Sequence, residues 1–225
     1  QQKATREMVK GLSHEIKNPL GGIMGAAQLL DRTLTDQSQA KFTKIIRKES
    51  ERLLKLINAM SSPLPSIDKD MINIHEITEH VTELFKYDVD NLGVNFIKDY
   101  DPSIPQLYLD KNQIIQALIN IIRNAIQAIN SDGKIIIKTR PVLKYTIGDT
   151  RHDLVVKIDV IDNGIGIPEK KLKEIFYPMV TTKNDGMGLG LTIAQSIIIQ
   201  NKGIIECKSK NNETVFSIII PWCTE

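Results

Sequence analysis

The sequence predicts an α+β chain of two domains, a long helical hairpin followed by an α/β sandwich. Three observations carry this. Residues 1–61 space their apolar side chains in heptads and hold no strong strand signal. The run Ser61-Ser62-Pro63-Leu64-Pro65-Ser66 cannot continue a helix. Beyond it, strand and helix patterns mix, with glycine-rich loops at their ends. The expected division is 1–61 hairpin, 62–70 linker and 71–225 sandwich.

In the first helix Leu12, Ile16, Pro19, Ile23, Ala26 and Leu30 follow spacings of 4, 3, 4, 3 and 4, the seam of a bundled helix. Pro19 removes one helical hydrogen bond and marks a kink or hinge. In the second helix Phe42, Ile46, Leu53, Leu56 and Met60 keep the same register around the polar Glu49. Asp36 is placed to cap it, and the turn lies at Thr33–Gln37. One stripe per helix is too little core for a free hairpin, so a dimeric four-helix bundle is expected.

After the linker the pattern gives a helix near 75–87, short strands near 94–98 and 106–108, and a helix over 110–130. A strand from Gly133 through Thr139 and another over 154–161 follow. A short helix near 168–175, a helix near 188–200 and closing strands at 203–208 and 214–220 complete a mixed sheet covered by helices.

Composition narrows the function. With 29 basic against 27 acidic residues, net charge +2, nothing argues for nucleic acid or an anionic membrane as direct partner. Cys207 and Cys223 fit neither a disulfide framework nor a metal motif and suit a reducing compartment. No run approaches the ~18 apolar residues of a membrane helix. The chain reads as cytosolic, and its start inside a helical pattern without Met leads us to expect a preceding N-terminal part.

Two constellations carry chemistry. In His14-Glu15-Ile16-Lys17-Asn18-Pro19, His14 sits off the seam and faces solvent, where by itself it reads as an ordinary surface histidine and only its neighbours point to chemistry. A neutral imidazole is a nucleophile, and Glu15 is placed to fix its tautomer or take its proton. Asn18, one turn on, either orients a hydrolytic water or is a solvated polar residue. It also replaces the second His of HExxH, which excludes that metal site.

The second constellation is spread over 110–191. Asn120 and Asn124, poor helix formers, share a helix face beside apolar Ile114, Leu118, Ile121 and Ala125, and they suit hydrated Mg²⁺ or are ordinary surface amides. Asp162-Asn163-Gly164-Ile165-Gly166 ends an alternating strand, where a fixed carboxylate can meet an exocyclic amine and glycine lets backbone approach a flat base. Gly186-Met187-Gly188-Leu189-Gly190 opens a helix whose free N–H groups favour phosphate, unless these are plain turn glycines. Thr181, Thr182 and Lys183 precede it as a short lid. P-loop, Rossmann and protein-kinase signatures are absent.

Taken in order, these residues resemble the histidine-kinase family: H box His14–Pro19, N box Asn120–Ala128, G1 box Asp162–Gly166, F box Phe176-Tyr177 and G2 box Gly186–Gly190. The segments HEIKNPLGGIMGAAQLL, VIDNGIGIPE and FYPMVTTK are similar to the nitrogen-regulation, NtrB-type, sensor kinases. The resemblance implies a dimerisation and phosphoacceptor domain, then a Bergerat-type (GHKL) ATP-binding sandwich. It implies that Asp162 binds adenine with Gly164 and Gly166 beside it, and that Asn124 holds Mg²⁺. Asn120 would join the phosphate network, with Arg123 and Lys183 as further phosphate contacts, Gly186, Gly188 and Gly190 at the lid hinge, and Thr214 on the adenine side.

It further implies a homodimer that autophosphorylates on a histidine from ATP and passes the phosphoryl group to a response-regulator aspartate, NtrC-like here. Phosphatase activity on that regulator, with Asn18 matching the role, and a PII-type signal protein as a further partner complete the picture. Departures are Gln127 for the frequent Lys, Asn211-Asn212-Glu213-Thr214 for a glycine-rich turn, and the short lid, which implies looser nucleotide enclosure. The rival readings are a GHKL ATPase, which needs a glutamate base where Asn120 stands, and a nucleotide-sensing scaffold.

Overall fold

The computed structural model describes residues 2–34, 37–61, 68–130, 133–178, 180 and 188–222, with the side chains of 2–15, 37, 38, 52 and 55–61 outside that description. The chain divides into two compact units, Gln1–Ser66 and Ile67–Glu225.

The first unit is an antiparallel pair of helices, α1 (Gln2–Thr33) and α2 (Gln37–Ser61). Pro19 lies inside α1, which continues through it. Between the helices the buried side chains, among those described, are Leu20, Ala27, Thr43 and Ser50. Asp31 accepts from Thr43 Oγ1 at 2.5 Å and lies 3.5 Å from Arg47, fixing the register near the turn. The heptad stripe read from the sequence is therefore not the seam within the hairpin. Ile16, Ile23, Leu30, Phe42, Ile46 and Leu53 are each at least 42% exposed, and Pro19 and Ala26 are exposed with them. Two helices can bury only the narrow line where they touch, and the wider apolar stripe stays open. Asp36 lies outside the described residues.

The second unit begins with β1 (Asp70–Ile72), which pairs antiparallel with β3 (Leu107–Leu109). Here the expected linker is cut short by a three-residue strand with no alternation long enough to announce it. Next come α3 (Ile74–Leu84) and α4 (Lys86–Asn91), so the single helix expected at 75–87 breaks at Phe85. Asn73 caps α3 by accepting from the His75 amide at 2.9 Å. The remaining elements are β2 (Asn95–Asp99), α5 (Lys111–Ala128), β4 (Lys134–Ile147), β5 (Thr150–Asp162), α6 (Gly190–Gln200), β6 (Ile204–Lys210) and β7 (Glu213–Pro221). The short helix expected at 168–175 is a single 3₁₀ turn, Glu169–Lys171.

A five-stranded sheet runs in the order β2-β4-β5-β7-β6, with β2 and β4 parallel and the other pairs antiparallel. The β4–β5 hairpin is longer than expected. Pro141 disguised it, yet it stands just past Thr139, where β2 no longer flanks β4, the edge position that a residue without an N–H tolerates. At the hairpin's tip Gly148 takes φ 57° in the two-residue loop between Ile147 and Thr150.

Cross-strand rows on the face toward α5 and α6 are apolar over most of their length. Ile137, Val160, Phe216 and Cys207 form one row, and Thr139, Ile158, Ile218 and Ile205 the next. Fully buried Ile114, Leu118, Ile121, Ile197 and Ile198 close this core from the helices. Toward the Gly-loop end the face finishes on a polar row: Ile135, then Asp162, Thr214 and Ser209. That change of character positions the candidate site.

Candidate nucleotide site

Helix α5 starts at Asp110, whose carboxylate accepts from the Gln113 amide at 3.1 Å and from the Asp68 amide at 3.1 Å. This cap fixes the helix phase that puts Ile114, Leu118, Ile121 and Ala125 in the core and Asn120 at its margin. Asn120 is only 7% exposed. Its Oδ1 accepts a long 3.5 Å bond from Gln116 Nε2, while its Nδ2 is buried with no hydrogen-bond partner. An orphaned buried donor costs about 1–3 kcal/mol, so this amide fits a ligand that brings an acceptor.

Helix α6 begins against the same side chain: a Cβ on Gly190 would lie 3.6–3.7 Å from Asn120 atoms. Leu189 precedes α6 without a side-chain cap, which leaves first-turn amides pointing along a favourable dipole for an anion. Gly188 takes φ 65° to make that entry. Thr192 Oγ1 donates to the Phe176 carbonyl at 3.1 Å, tying the segment before the turn to α6.

On the sheet side Asp162 ends β5 with 2% exposure. Its Oδ1 accepts from the Gly164 amide at 3.0 Å. The loop is stitched to the end of α5, where the Ile165 amide donates to the Ala128 carbonyl at 3.0 Å. Gly164 is required by this approach, since a Cβ there would stand 2.5 Å from that carbonyl oxygen. Asn163 Oδ1 accepts from the Lys134 amide at 2.8 Å, anchoring the loop to β4. Thr214, 2% exposed, lies directly across from Asp162 on β7. The Cys207 thiol in the adjoining row is pushed up to about 12, by burial first and by the Asp162 charge second; it is a packing group.

A carboxylate at the floor, two glycine-bearing loops and an uncapped helix start with an orphaned amide beside it can hold a flat base at one end and phosphates at the other. Residues 109–223 match the family described as histidine kinase-, DNA gyrase B-, and HSP90-like ATPase, and residues 4–62 match the His Kinase A (phospho-acceptor) domain. The chain belongs to the histidine kinase family.

Among similar proteins, the sensory histidine kinase/phosphatase NtrB of Proteus hauseri is 45% identical over 222 residues, covering 98% of this chain and 64% of that protein. The NtrB of Rhizobium leguminosarum bv. phaseoli is 36% identical, covering 95% and 57%. This chain therefore spans less than two thirds of those relatives. The catalytic domain of histidine kinase ThkA superposes with a TM-score of 0.61 at 31% identity, covering 69% of this chain and 96% of that one. ThkA in complex with the response regulator protein TrrA gives 0.64 at 29%, covering 96% and 61%.

The histidine kinase motifs are placed unevenly by the structure. Asp162, Gly164, Gly166, Asn120, Gly188, Gly190 and Thr214 surround the two loops as above. Asn124, half-exposed, follows Asn120 one turn along α5. Arg123 is directed elsewhere: its guanidinium lies 5.9 Å over the Phe85 ring and lines a 380 Å³ cavity with Asp88, Asn91, Leu92 and Gln127. Neither Asp162 nor the Gly188–Gly190 turn borders that cavity.

Lys183 and Gly186, with the lid around them, lie outside the described residues. In the first unit His14 and Glu15 stand on α1 with side chains outside the description, and Asn18, one turn on, is exposed. The reading of the sequence missed Ser209, which faces the first Gly loop. Its signal was its position, five residues before Thr214 across Asn211-Asn212. Both asparagines take positive φ, 53° and 59°, doing the work of the glycines this turn lacks.

Proposed function

We propose that this chain is the core of a cytosolic, bifunctional sensor histidine kinase. It phosphorylates His14 from Mg·ATP, transfers the phosphoryl group to a response-regulator aspartate, and dephosphorylates that regulator. The observation that carries the reading is Asn120: a buried carboxamide with a free donor beside an uncapped helix start. No Asp or Glu stands anywhere on α5.

Asp162 holds an exocyclic amine at the base end, with Thr214 beside it. Asn120 and the first amides of α6 hold phosphate oxygens. Asn124 would supply an oxygen to Mg²⁺, which when bound would neutralise phosphate charge. Because a carboxamide takes no proton, position 120 offers no base to activate water, and the γ-phosphoryl group waits for another nucleophile. His14 provides it: the imidazole nitrogen forms the P–N bond as the bond to the ADP oxygen breaks, and Glu15 accepts or orients the ring proton.

Asn18, exposed one turn from His14, is suited to orient water during removal of phosphate from the regulator. The open stripe of Ile16, Ile23, Leu30, Phe42, Ile46 and Leu53 supports a homodimer in which a second hairpin covers it. The likeness to NtrB proteins supports an NtrC-like regulator and a PII-type signal protein as partners.

Incubation with γ-labelled ATP and Mg²⁺ tests the proposal. Acid-labile, alkali-stable label is expected, moving onto an added receiver domain. Label that persists in His14→Gln, or none in the unaltered protein, overturns it.

A further inference from the structure

We propose that Ser209 is a positioning residue that sets the height of the Asp162–Pro168 loop over the base site, and thereby the preference for adenine. This rests on the reading of that site as one for ATP. The loop is held at three backbone amides. The first donates to Asp162 within the loop and the second to the Ala128 carbonyl. The third, Ile167 N–H, donates to Ser209 Oγ at 2.9 Å. Of these acceptors only Ser209 is a side chain from outside the loop.

Shape agrees with the hydrogen bond. Gly166 takes φ 76°, and a Cβ there would lie 3.2 Å from Ser209 Oγ. The backbone thus bends down onto the serine in a conformation that favours glycine.

Ser209 is also the end of the polar row across β6, β7 and β5. It faces Thr214, and Thr214 faces Asp162, so all three side chains project from one face of the sheet. Ser209 Oγ lies 3.1 Å from Thr214 Oγ1. A hydroxyl has one proton and two lone pairs. With one lone pair taken by Ile167 N–H, Ser209 shares the remaining positions with Thr214 and so couples the loop backbone to the hydroxyl beside the base-binding carboxylate.

Removing the hydroxyl strands the Ile167 amide and frees the loop to ride up, which changes how Asp162 meets an exocyclic amine. Phosphate contacts at α6 do not depend on it. The specific consequence is a loss of discrimination against a base that carries a carbonyl in place of that amine.

The test measures the affinities of the full chain for ATP and inosine triphosphate, with amide hydrogen exchange at Ile167. In Ser209→Ala, ATP affinity is expected to fall about tenfold, the worth of one buried hydrogen bond, with inosine triphosphate changed less than about threefold. Exchange at Ile167 should quicken at least about tenfold. Ser209→Thr keeps the acceptor and should restore both the ATP preference and the protection. If Ser209→Ala does not fold, Ser209→Cys, with the same shape and a weaker acceptor, carries the same comparison.

If the unaltered chain binds no ATP, the reading of the site fails, and exchange at Ile167 still judges the serine's hold on the loop. If it binds ATP but the alanine variant keeps both the affinity and the preference, the role of Ser209 is overturned.

Discussion

Gly164→Ala is the sharpest perturbation of the candidate site. The added methyl would stand 2.5 Å from the Ala128 carbonyl oxygen, 2.7 Å from its carbon and 2.8 Å from its Cβ. An ordinary contact begins near 3.4 Å, so loop and helix end must separate by 3.4 − 2.5, about 0.9 Å. The Ile165 amide, now 3.0 Å from the same oxygen, would lose its bond. Overpacking costs about 1–3 kcal/mol and the hydrogen bond about 1 kcal/mol, together about 2–4 kcal/mol. For a unit of this size that lowers the melting temperature by roughly 5–15 °C.

Trp222, the chain's one tryptophan, lies in the second unit with its indole N–H donating to the Gln106 carbonyl at 3.1 Å. Its fluorescence therefore follows that unit and avoids treating the two-unit chain as a single transition. Gly203→Ala is the control. Its methyl would run into the Ile219 carbonyl oxygen, at the opposite end of β6 from Ser209. Both variants should melt early, but below their transitions only Gly164→Ala should lose nucleotide affinity. A Gly164→Ala protein that melts within about 2 °C of the unaltered chain and binds ATP equally refutes the reasoning.

Acid should weaken the second unit through His75. It stacks on Tyr100 at 4.8 Å and bonds Thr139 Oγ1 at 2.9 Å, and burial lowers its pKa against the opposing charges of Asp101 and Glu79. The unfolded chain takes the proton near 6.5 and the folded chain only at lower pH, so stability is full above 6.5 and falls as pH drops through the folded value. Urea midpoints from Trp222 fluorescence should fall on acidification, and His75→Gln should flatten that dependence; an unchanged slope counts against it. Ile23→Glu should abolish dimerisation: withholding burial of about 1.5–3 kcal/mol per protomer raises the dissociation constant by at least about a hundredfold. Sedimentation of an intact Ile23→Glu dimer would remove the open stripe as the interface.

What could be read from the sequence was whatever repeats locally. Helix α5 announced itself through Ile114, Leu118, Ile121 and Ala125, and the Gly loops through glycine at element ends. The hairpin was legible as two helices. Its seam was not, because Leu20 and Ala27 pack inward while Ile16, Ile23 and Leu30 remain open, and both sets repeat every seven residues. The break at Phe85 carries no glycine or proline to mark it. The extension of β4 was hidden by Pro141, which is harmless only because β2 has ended there. In the candidate site, residue types pointed to Asp162, Asn120 and Asn124. The stitches from Ile165 to Ala128 and from Ile167 to Ser209 could not be found, since they join backbone groups to partners 37 and 42 positions away.

On the proposed function, the same geometry gives a reason for one chain to keep its nucleophile and its nucleotide in separate units. A carboxylate at position 120, 7% exposed, would face a heavy desolvation cost whenever the cation was absent. If paired and ionised, it would activate water and hydrolyse the nucleotide in place. Asparagine accepts the smaller cost of one unpartnered N–H, contributes polarity to the phosphate end and leaves water unactivated. Catalytic competence then depends on bringing an outside nucleophile to the γ-phosphate. On the proposed function, a site that binds without itself hydrolysing would make ATP consumption conditional on the placement of His14, which suits an enzyme whose output is a signal.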